Sequence, residues 1–352
     1  MSITVGVIGC GGISRFHFSG LQKAGASVVW VCDLSESAAR PWAERFGARY
    51  AADYRQVVAD KQVQAVVVTT VSSAHKAICL ATIEAGKAVI CEKTLAENAD
   101  DALQIVQAAQ RSNTIFYTSY MKRFIPAVEK AKELLPSLGR IVSTHIRTHQ
   151  CWGDLWGAVP SGGIFHVPAG GASAVRSKYG GGILVCGGSH ILDLVLFFLG
   201  RPKRLSASMH APAGMDCDVQ ATSLMETDNG TVLFEALAHP LTCVGFLRDG
   251  WDERVEINGV NGRLDIYSSA WDQVDAKASM LVHYDNSKGA AMEYRYAPVS
   301  PFDRAVEFFC SNIEKGLQGA QSRLTGYDVD NLIAHIKRSA ESRQAVEVQW
   351  RI

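Results

Sequence analysis

The chain has 352 residues, of which 47% are hydrophobic and 20% charged, and this composition is typical of a globular protein large enough for two domains. Basic and acidic residues number 35 each. The chain therefore has no excess of positive charge that would attract a polyanion, and we expect no nucleic-acid partner. The nine cysteines show neither CxxC pairs nor zinc-type spacing, which predicts reduced thiols and no metal site. No stretch reaches the roughly 18 apolar residues of a membrane span, and no basic leader precedes the first strand. We therefore expect a cytoplasmic protein with a small-molecule ligand.

Short apolar runs alternate with helical patterns along the first 120 residues. The predicted strands are Ile3 to Ile8, Val28 to Cys32, Ala65 to Thr69, Ala88 to Cys91 and Ile115 to Ser119. The predicted helices between them are Phe16 to Lys23, Ser37 to Phe46, Ala74 to Glu84 and Ala99 to Arg111. This alternation predicts an α/β Rossmann domain over residues 1–122, with a doubly wound parallel sheet covered by helices on both faces.

The pattern changes after about Arg123, where longer strands and tighter turns predict an α+β domain over residues 123–352 with a mostly antiparallel sheet. Asp228-Asn229-Gly230 is typical of a hairpin turn. The stretch from Cys151 to Gly182 is too long for an ordinary connection and is predicted to be an active-site loop. The predicted strands are Arg140 to His149, Arg204 to His210, Gln220 to Glu226, Val232 to Ala238 and Arg254 to Ile257, and the predicted helices are Asp303 to Gly316 and Asp328 to Ser342.

The first strand ends in the glycine turn Gly9-Cys10-Gly11-Gly12, and a helix follows from about Ile13. Gly9 permits the tight turn, Gly11 lets a pyrophosphate approach the backbone, and the helix N-terminus offers N–H groups and a positive dipole end. We therefore predict a dinucleotide site here. The alternative is a glycine-rich turn without a ligand.

Asp33 ends the second strand, where a carboxylate can bind the adenosine ribose hydroxyls. Because a carboxylate repels a ribose 2′-phosphate, NAD is favoured over NADP. Ser35 and Arg40 lie nearby and offer contacts for a phosphate, so NADP stays the second candidate. The structural alternative for Asp33 is a helix N-cap.

The segment Ala85 to Ala96 delivers Glu92 and Lys93 to the carboxyl end of a strand, where open α/β sheets bind ligands. Lys93 could donate to a substrate oxygen and stabilise alkoxide charge. The alternative is a solvated Glu92–Lys93 ion pair.

The segment Gly180 to Asp193 predicts a helix beginning near Ser189, with His190 in its first turn and Asp193 three residues later. A histidine titrates near neutrality, so His190 is a candidate general base. Sequence physics alone leaves open the more common alternative, a packing residue.

Together these segments resemble the Gfo/Idh/MocA oxidoreductases, the family of glucose–fructose oxidoreductase and inositol dehydrogenase. The resemblance extends along nearly the whole chain. Ala85 to Ala96 is similar to the family's AGKxVxCEKPLA segment, Ser119 to Phe124 to GYNxRF, Gly180 to Asp193 to GGGxxxDxGxHxxD, and Glu256 to Gly262 to EIxGxxG, while Asp328 to Val348 resembles the final helix and strand.

The resemblance implies an NAD(P)-dependent sugar or polyol dehydrogenase, in which a secondary alcohol loses its proton to His190 while its carbon gives a hydride to the nicotinamide. Lys93 would position and polarise the substrate oxygen, and Glu92 would position Lys93. His75 resembles a histidine lining the cofactor cleft, with a solvent-facing helix residue as the alternative. The implied cofactor contacts are Gly9, Gly11, Gly12, Ile13, Asp33, Thr70, His75, Glu92 and Lys93.

The implied substrate contacts combine the catalytic pair with residues of the later motifs and the long loop. Asp193 matches a position that often touches substrate hydroxyls, with helix-surface pairing as the alternative. Aromatic faces, including that of Tyr179, could stack on a pyranose or cyclitol ring, although each could equally be packing. The implied contacts are Lys93, Tyr120, Arg123, Trp152, Trp156, Cys186, Ser189, His190 and Asp193.

Three positions depart from the family pattern: Cys186 replaces an aspartate, Thr94 the proline of EKP, and Met121 the asparagine of GYN. A thiol supplies no permanent carboxylate to bind a sugar hydroxyl or raise the basicity of His190. The default interpretation of Cys186 is a small apolar wall residue.

Two other functions remain open at this level. Some relatives hold NAD tightly and cleave or epimerise glycosides by transient oxidation, and a non-catalytic NAD-binding regulator would keep only the fold. The presence of both Lys93 and His190 argues against the regulator. Because the open face of an antiparallel sheet must be covered, we also expect a homodimer or homotetramer.

Overall fold

The computed structural model describes residues 2–152, 181–213, 215, 217–271, 273 and 276–352. The chain forms two compact units. Unit 1 comprises Met1–Met121 and Pro301–Asp330, and unit 2 comprises Lys122–Ser300 and Asn331–Ile352. The predicted contacts Trp156 and Tyr179 lie outside the described residues.

Unit 1 contains a sheet of parallel strands. In the described part of the chain they are β1 (Thr4–Ile8), β2 (Ser27–Cys32), β3 (Arg49–Ala51), β4 (Ala65–Val68), β5 (Ala88–Cys91) and β6 (Phe116–Thr118). Their order in the sheet is β3-β2-β1-β4-β5-β6, so the strand order changes direction between β1 and β4. Doubly wound sheets bind ligands at such a switch point, at the carboxyl ends of the strands. The predicted parallel fold is confirmed, but the prediction of five strands was wrong because β3 is only three residues long.

Helices connect these strands in unit 1. They are α1 (Ser14–Lys23), α2 (Glu36–Phe46), α3 (Tyr54–Ala59), α4 (Ser72–Glu84) and α5 (Ala99–Arg111). All four residues of β4 and of β5 are buried, as expected for a parallel sheet covered on both faces. Gly47 ends α2 in the left-handed conformation, which glycine adopts without steric cost at a helix C-terminus.

Unit 2 contains a larger, mostly antiparallel sheet. Its described strands are β7 (Ile141–Cys151), β8 (Arg204–His210), β9 (Gln220–Thr227), β10 (Gly230–His239), β11 (Trp251–Gly259), β12 (Gly262–Ser268), β13 (Met280–Asp285), β14 (Ala290–Arg295) and β15 (Val346–Glu347). Their order is β14-β13-β12-β11-β7-β10-β9-β8-β15, and only the described pair β7–β10 is parallel. The predicted hairpin turn is confirmed, since β9 and β10 pair directly across Asp228–Asn229. Strands β12, β13 and β14 were not predicted individually, whereas β15 lies in the segment that resembles the family's final helix and strand.

Unit 2 also contains the helices α6 (Pro126–Leu134) and α7 (Ser189–Leu199). A π-helical turn over Leu184–Gly188 leads directly into α7, whose start at Ser189 confirms the predicted position. Helix α7 packs against β7 and β10, which places its N-terminal residues beside the sheet.

Two helices precede the last strand: α8 (Pro301–Glu314) in unit 1 and α9 (Thr325–Ser342), which begins in unit 1 and ends in unit 2. Helix α8 packs against α1, where Phe16 and Phe302 stack with ring centroids 4.5 Å apart. A Cβ on Gly20 would lie 2.6 Å from the Val306 side chain, so the glycine allows this close approach. No helix in the described part of the chain is long and apolar enough to cross a bilayer.

Candidate active site

The glycine turn between β1 and α1 is held tightly by neighbouring strand ends. Gly9 has φ +99°, and a Cβ there would lie 2.6 Å from the Thr69 carbonyl carbon. The Gly9 N–H donates to the Cys32 oxygen at 2.8 Å, and the Thr69 hydroxyl donates to the Gly9 oxygen at 2.6 Å. Only glycine fits this position without moving the backbone.

The next two glycines face open space. Gly11 and Gly12 are exposed, and a Cβ on either would meet no described atom within 4 Å. Ile13 is the N-cap of α1, and no described side chain caps this end of the helix. A helix N-terminus that is open and lined by glycine backbone fits a pyrophosphate.

Asp33 is bonded to the turn. Its Oδ2 accepts from the Cys10 N–H at 2.7 Å, and its Oδ1 accepts from the Ser35 N–H at 2.8 Å. Ser35 is the N-cap of α2, so the alternative interpretation of Asp33 as the N-cap was wrong. Asp33 is half-buried beside the turn, and each oxygen keeps a lone pair for a ribose hydroxyl. These residues together fit the adenosine half of a dinucleotide.

His75 is fully buried on α4, so the alternative of a solvent-facing residue was wrong. Its Nδ1 lies 3.0 Å from the Thr94 oxygen and its Nε2 lies 3.1 Å from the Thr70 oxygen. Burial lowers the pKa of His75, although both carbonyls oppose this change. The neutral ring therefore donates to one carbonyl at a time and ties the end of β4 to the residues after β5. Its contact with a cofactor stays a prediction.

Glu92 and Lys93 follow β5 at the same edge of the sheet. The Glu92 side chain is buried and accepts from His17 at 2.7 Å and from the Lys93 N–H at 3.1 Å. The alternative of a solvated Glu92–Lys93 ion pair was therefore wrong. Lys93 is half-buried, and its peptide bond to Thr94 is cis. A half-buried lysine at this edge has the position required to donate to a ligand oxygen.

The π-helical turn carries Cys186 and leads to His190 on α7. Cys186 is buried, and its thiol donates to the Gly181 oxygen at 3.7 Å, in keeping with a wall residue. Asp218 anchors the start of the turn: its carboxylate accepts from the Leu184 N–H at 2.8 Å, and burial raises its pKa. His190 is half-buried in the first turn of α7. The turn thus presents His190 from a fixed backbone.

Ser189 precedes His190, and its side chain is fully buried. Its hydroxyl has no hydrogen-bond partner among the described residues. A buried hydroxyl without a partner is costly in a folded protein, which suits a ligand contact as well as a bound water. Its contact with a substrate stays a prediction.

Arg123 and Asp193, both predicted substrate contacts, bind each other. The guanidinium Nε donates to Oδ2 at 2.8 Å and Nη2 donates to Oδ1 at 2.6 Å. Asp193 has no exposed surface, so helix-surface pairing does not describe it. Burial raises the pKa of Asp193, and the Arg123 charge offsets this only in part. We expect Asp193 to act on a ligand through Arg123, which keeps some exposure.

Two predicted aromatic contacts are buried. Tyr120 has no exposed surface, and Trp152 is 1% exposed, with its indole N–H donating to Gln150 at 3.2 Å. An aromatic ring stacks on a sugar only where a face is accessible. This burial favours the packing alternative for both residues, and their contact with a substrate stays a prediction.

A buried polar chain in unit 2 was not predicted from the sequence. Lys122 pairs with Glu253, whose Oε2 also accepts from the Thr148 hydroxyl at 2.9 Å. Gln150 donates to that hydroxyl at 3.1 Å, and a Cβ on Gly187 would lie 2.2 Å from the Gln150 amide nitrogen. The chain thus ends against the π-helical turn beside Cys186. Lys122 and Glu253 are separated by 131 residues, so no local sequence pattern predicts their pairing.

The units divide the predicted site residues between them. Unit 1 gathers the glycine turn, Asp33, Thr70, His75 and Lys93 near the carboxyl ends of β1, β2, β4 and β5. Unit 2 contains the segment from Cys186 to Asp193 together with Arg123.

Comparison with known families addresses both parts of the chain. A model of an oxidoreductase family with an NAD-binding Rossmann fold matches residues 3–120, and a model of the GFO/IDH/MocA C-terminal domain matches residues 128–265. Together the two matches cover well over half of the chain. The chain belongs to the Gfo/Idh/MocA oxidoreductase family. The resemblance of its motifs to this family is thereby confirmed.

Individual relatives of this Gfo/Idh/MocA member have different activities in their names. It is 31% identical over 310 residues to inositol 2-dehydrogenase 2 of Saccharopolyspora erythraea, across 85% of this chain and 80% of the relative. It is 24% identical over 348 residues to D-xylose 1-dehydrogenase (NADP(+)) 2 of Haloferax volcanii, across 97% and 99%. The solved structure of levoglucosan dehydrogenase with NADH and levoglucosan has a TM-score of 0.81 at 20% identity, covering 99% of this chain and all of that one. At that identity the last comparison shows the shared fold.

Proposed function

We propose that the protein is an NAD-dependent dehydrogenase that acts on a secondary hydroxyl of a sugar, sugar derivative or inositol. The observation that carries this proposal is Lys93, held after β5 by a buried carboxylate in the same unit as the open glycine turn. The names of the relatives, an inositol and a xylose dehydrogenase, support the substrate class. We assign cofactor binding to residues 1–122 and substrate binding to residues 123–352.

When bound, NAD supplies a hydride acceptor at the nicotinamide. The residues of this chain then bind, orient and exchange a proton with the substrate. Lys93 donates to the oxygen of the reacting carbon and stabilises its negative charge. His190 accepts the hydroxyl proton, and Arg123 offers further N–H groups to substrate hydroxyls, held in place by Asp193.

We infer that NAD is preferred over NADP because the Asp33 carboxylate lies beside the turn. A ribose 2′-phosphate there would meet a fixed negative charge, which costs binding energy unless a cation is available. Arg40, the nearest predicted cation, pairs with Glu36. This ion pair is exposed and weak, so it lowers the ability of Arg40 to contact a phosphate but does not abolish it.

A substrate screen with NAD and NADP in parallel tests the proposal. We expect NADH formation with at least one sugar or inositol, and slower NADPH formation. Loss of a general base typically lowers rates by about 10²–10⁴-fold, and we expect this effect on kcat in His190→Asn. Loss of a donor to developing negative charge typically costs about 10²–10³-fold, and we expect this effect on kcat in Lys93→Met. The exposed residues His210 and Lys61 provide the matched controls His210→Asn and Lys61→Met, which should keep full activity.

Other outcomes of this screen would identify different functions. Protein that retains NAD and forms product without accumulating NADH would be a glycoside-cleaving or epimerising enzyme. Unchanged NADH formation in His190→Asn and Lys93→Met would contradict the assigned roles. NAD binding without any turnover would favour the non-catalytic regulator.

We also propose that the protein is a homodimer or homotetramer through the outer face of the unit 2 sheet. On β10, Val232 and Phe234 are buried, whereas Leu233 between them is 41% exposed. Leu233 pairs across the strands with Leu224, which is 47% exposed. These neighbouring exposed leucines on a sheet face support the proposal that a second copy covers this surface.

Sedimentation velocity at micromolar concentration tests this contact. We expect a dimer or larger species, and we expect Leu233→Asp to shift it toward monomer because a carboxylate would be buried without a partner. Leu317→Asp is the matched control, since Leu317 is 56% exposed in unit 1. A monomeric wild-type protein would contradict the proposal.

A further inference from the structure

A buried histidine lies behind the candidate catalytic lysine. His17, on α1, has no exposed surface, and its Nε2 lies 2.7 Å from Glu92 Oε1. The second oxygen of Glu92 accepts from the Lys93 N–H at 3.1 Å. The carboxylate is therefore fixed at both oxygens, by His17 on one side and by the backbone of Lys93 on the other.

Glu92 is ionised in this environment. Burial would raise the pKa of its carboxyl, but the hydrogen bond and charge interaction with His17, together with the charge of Lys93, outweigh burial and lower it. A negative charge thus lies in the interior of unit 1 next to Lys93.

The contacts of His17 indicate how it holds this charge. Its Nδ1 has no hydrogen-bond partner among the described residues, and its ring meets Phe302 edge to face, with centroids 6.5 Å apart. His17 therefore holds the Glu92 carboxylate through Nε2, while Phe302 packs against its ring.

The other titratable groups around Glu92 are neutral. His75, from α4, has its pKa lowered by burial, and Cys91, on β5, has its pKa raised by burial. Among the described groups that act electrostatically on Glu92, those that favour its ionised form are therefore His17 and Lys93.

We propose that His17 is a positioning residue for Lys93: it holds Glu92 ionised and oriented, and the same carboxylate binds the Lys93 backbone N–H. The contribution of Lys93 to a reaction rests on the proposed dehydrogenase function. The charge coupling from His17 to Lys93 does not.

Nuclear magnetic resonance of protein with ¹³C-dimethylated lysines tests this coupling without cofactor or substrate. The Lys93 signal is assigned by its loss in Lys93→Arg. In the wild type we expect this signal to be constant between about pH 5 and 8, because Glu92 stays ionised. In His17→Phe we expect a step within that range, because a buried carboxyl without its donor titrates at higher pH.

Three further variants make the result specific. His17→Gln keeps a side-chain N–H donor and should restore a constant signal. The double variant His17→Phe/Glu92→Gln should lose the step, which identifies Glu92 as its source. Glu92→Gln alone, which preserves side-chain volume, should also give a constant signal, because no carboxyl group remains there to titrate.

A constant Lys93 signal in folded His17→Phe, or a step that persists in His17→Phe/Glu92→Gln, overturns the proposal. Because both signals are read on the protein alone, a negative substrate screen would refute the dehydrogenase function and leave this result unaffected.

Discussion

Arg123→Met is expected to lower the free energy of unfolding by about 3–5 kcal/mol, because it leaves a buried carboxylate without its partner. Asp193 has no exposed surface, and the guanidinium of Arg123 satisfies both of its oxygens. Without the cation, nothing offsets the desolvation cost of the Asp193 carboxylate. Burial raises the pKa of Asp193 even in the presence of Arg123. Urea unfolding followed by circular dichroism measures the loss.

The double variant Arg123→Met/Asp193→Leu separates a charge effect from a packing effect. If the cost comes from an unpaired carboxylate, replacing both partners by apolar side chains should recover most of the lost stability. A double variant no more stable than Arg123→Met would contradict this explanation and indicate that Arg123 acts by packing on Phe197, 5.0 Å from its guanidinium.

The pH dependence of Arg123→Met provides a second check. Its Asp193 pKa is raised in the folded state, so the folded protein binds more protons than the unfolded chain, and stability falls as pH rises through that pKa. The penalty should therefore be largest near neutral pH and shrink as pH falls toward about 4, the ordinary aspartate value. A penalty independent of pH would exclude an ionised Asp193 as its cause.

The architecture of unit 1 could be predicted because its information is local. Each strand except β3 is a continuous apolar run followed by a helix, and such alternation permits few topologies. The pairing of α8 with α1 could not be predicted in this way. It depends on the close approach of Val306, from the far end of the chain, to Gly20. The sequence around neither residue indicates this contact.

The candidate site divides in the same way. The glycine turn, Asp33 and Lys93 could be predicted to lie at one edge, because all parallel strands present their carboxyl ends there. The partners of these residues could not. His17 lies within an ordinary amphipathic helix, 75 residues from Glu92, and only the packed structure shows their contact.

The same limit applies to Arg123 and Asp193. Each was singled out by its motif as a ligand contact, but a motif gives residue types and spacing, not which buried charges neutralise one another. In a low-dielectric interior this pairing is a strong constraint. A buried carboxylate identified from sequence therefore needs its cation identified before it is assigned to a substrate.

Gly11→Ala should weaken NAD binding at least about tenfold while leaving the thermal unfolding midpoint unchanged. In the protein alone, a Cβ at Gly11 meets no described atom within 4 Å, so the methyl group disturbs nothing in the fold. It would occupy the space through which a pyrophosphate approaches the backbone. Calorimetric titration with NAD, together with thermal unfolding without ligand, separates the two effects.

Gly9→Ala should behave in the opposite manner, because its cost arises in the fold. The residue has φ +99°, and its Cβ would lie 2.6 Å from the Thr69 carbonyl carbon. A strained conformation costs about 1–3 kcal/mol, and the clash adds to it. Gly86→Ala is the matched control, since Gly86 also has positive φ but its Cβ would meet no described atom within 4 Å. Gly86→Ala should therefore lose less stability than Gly9→Ala and bind NAD normally.

Full NAD affinity in Gly11→Ala would show that the pyrophosphate binds elsewhere. Equal stability losses in Gly9→Ala and Gly86→Ala would refute the contact between position 9 and Thr69.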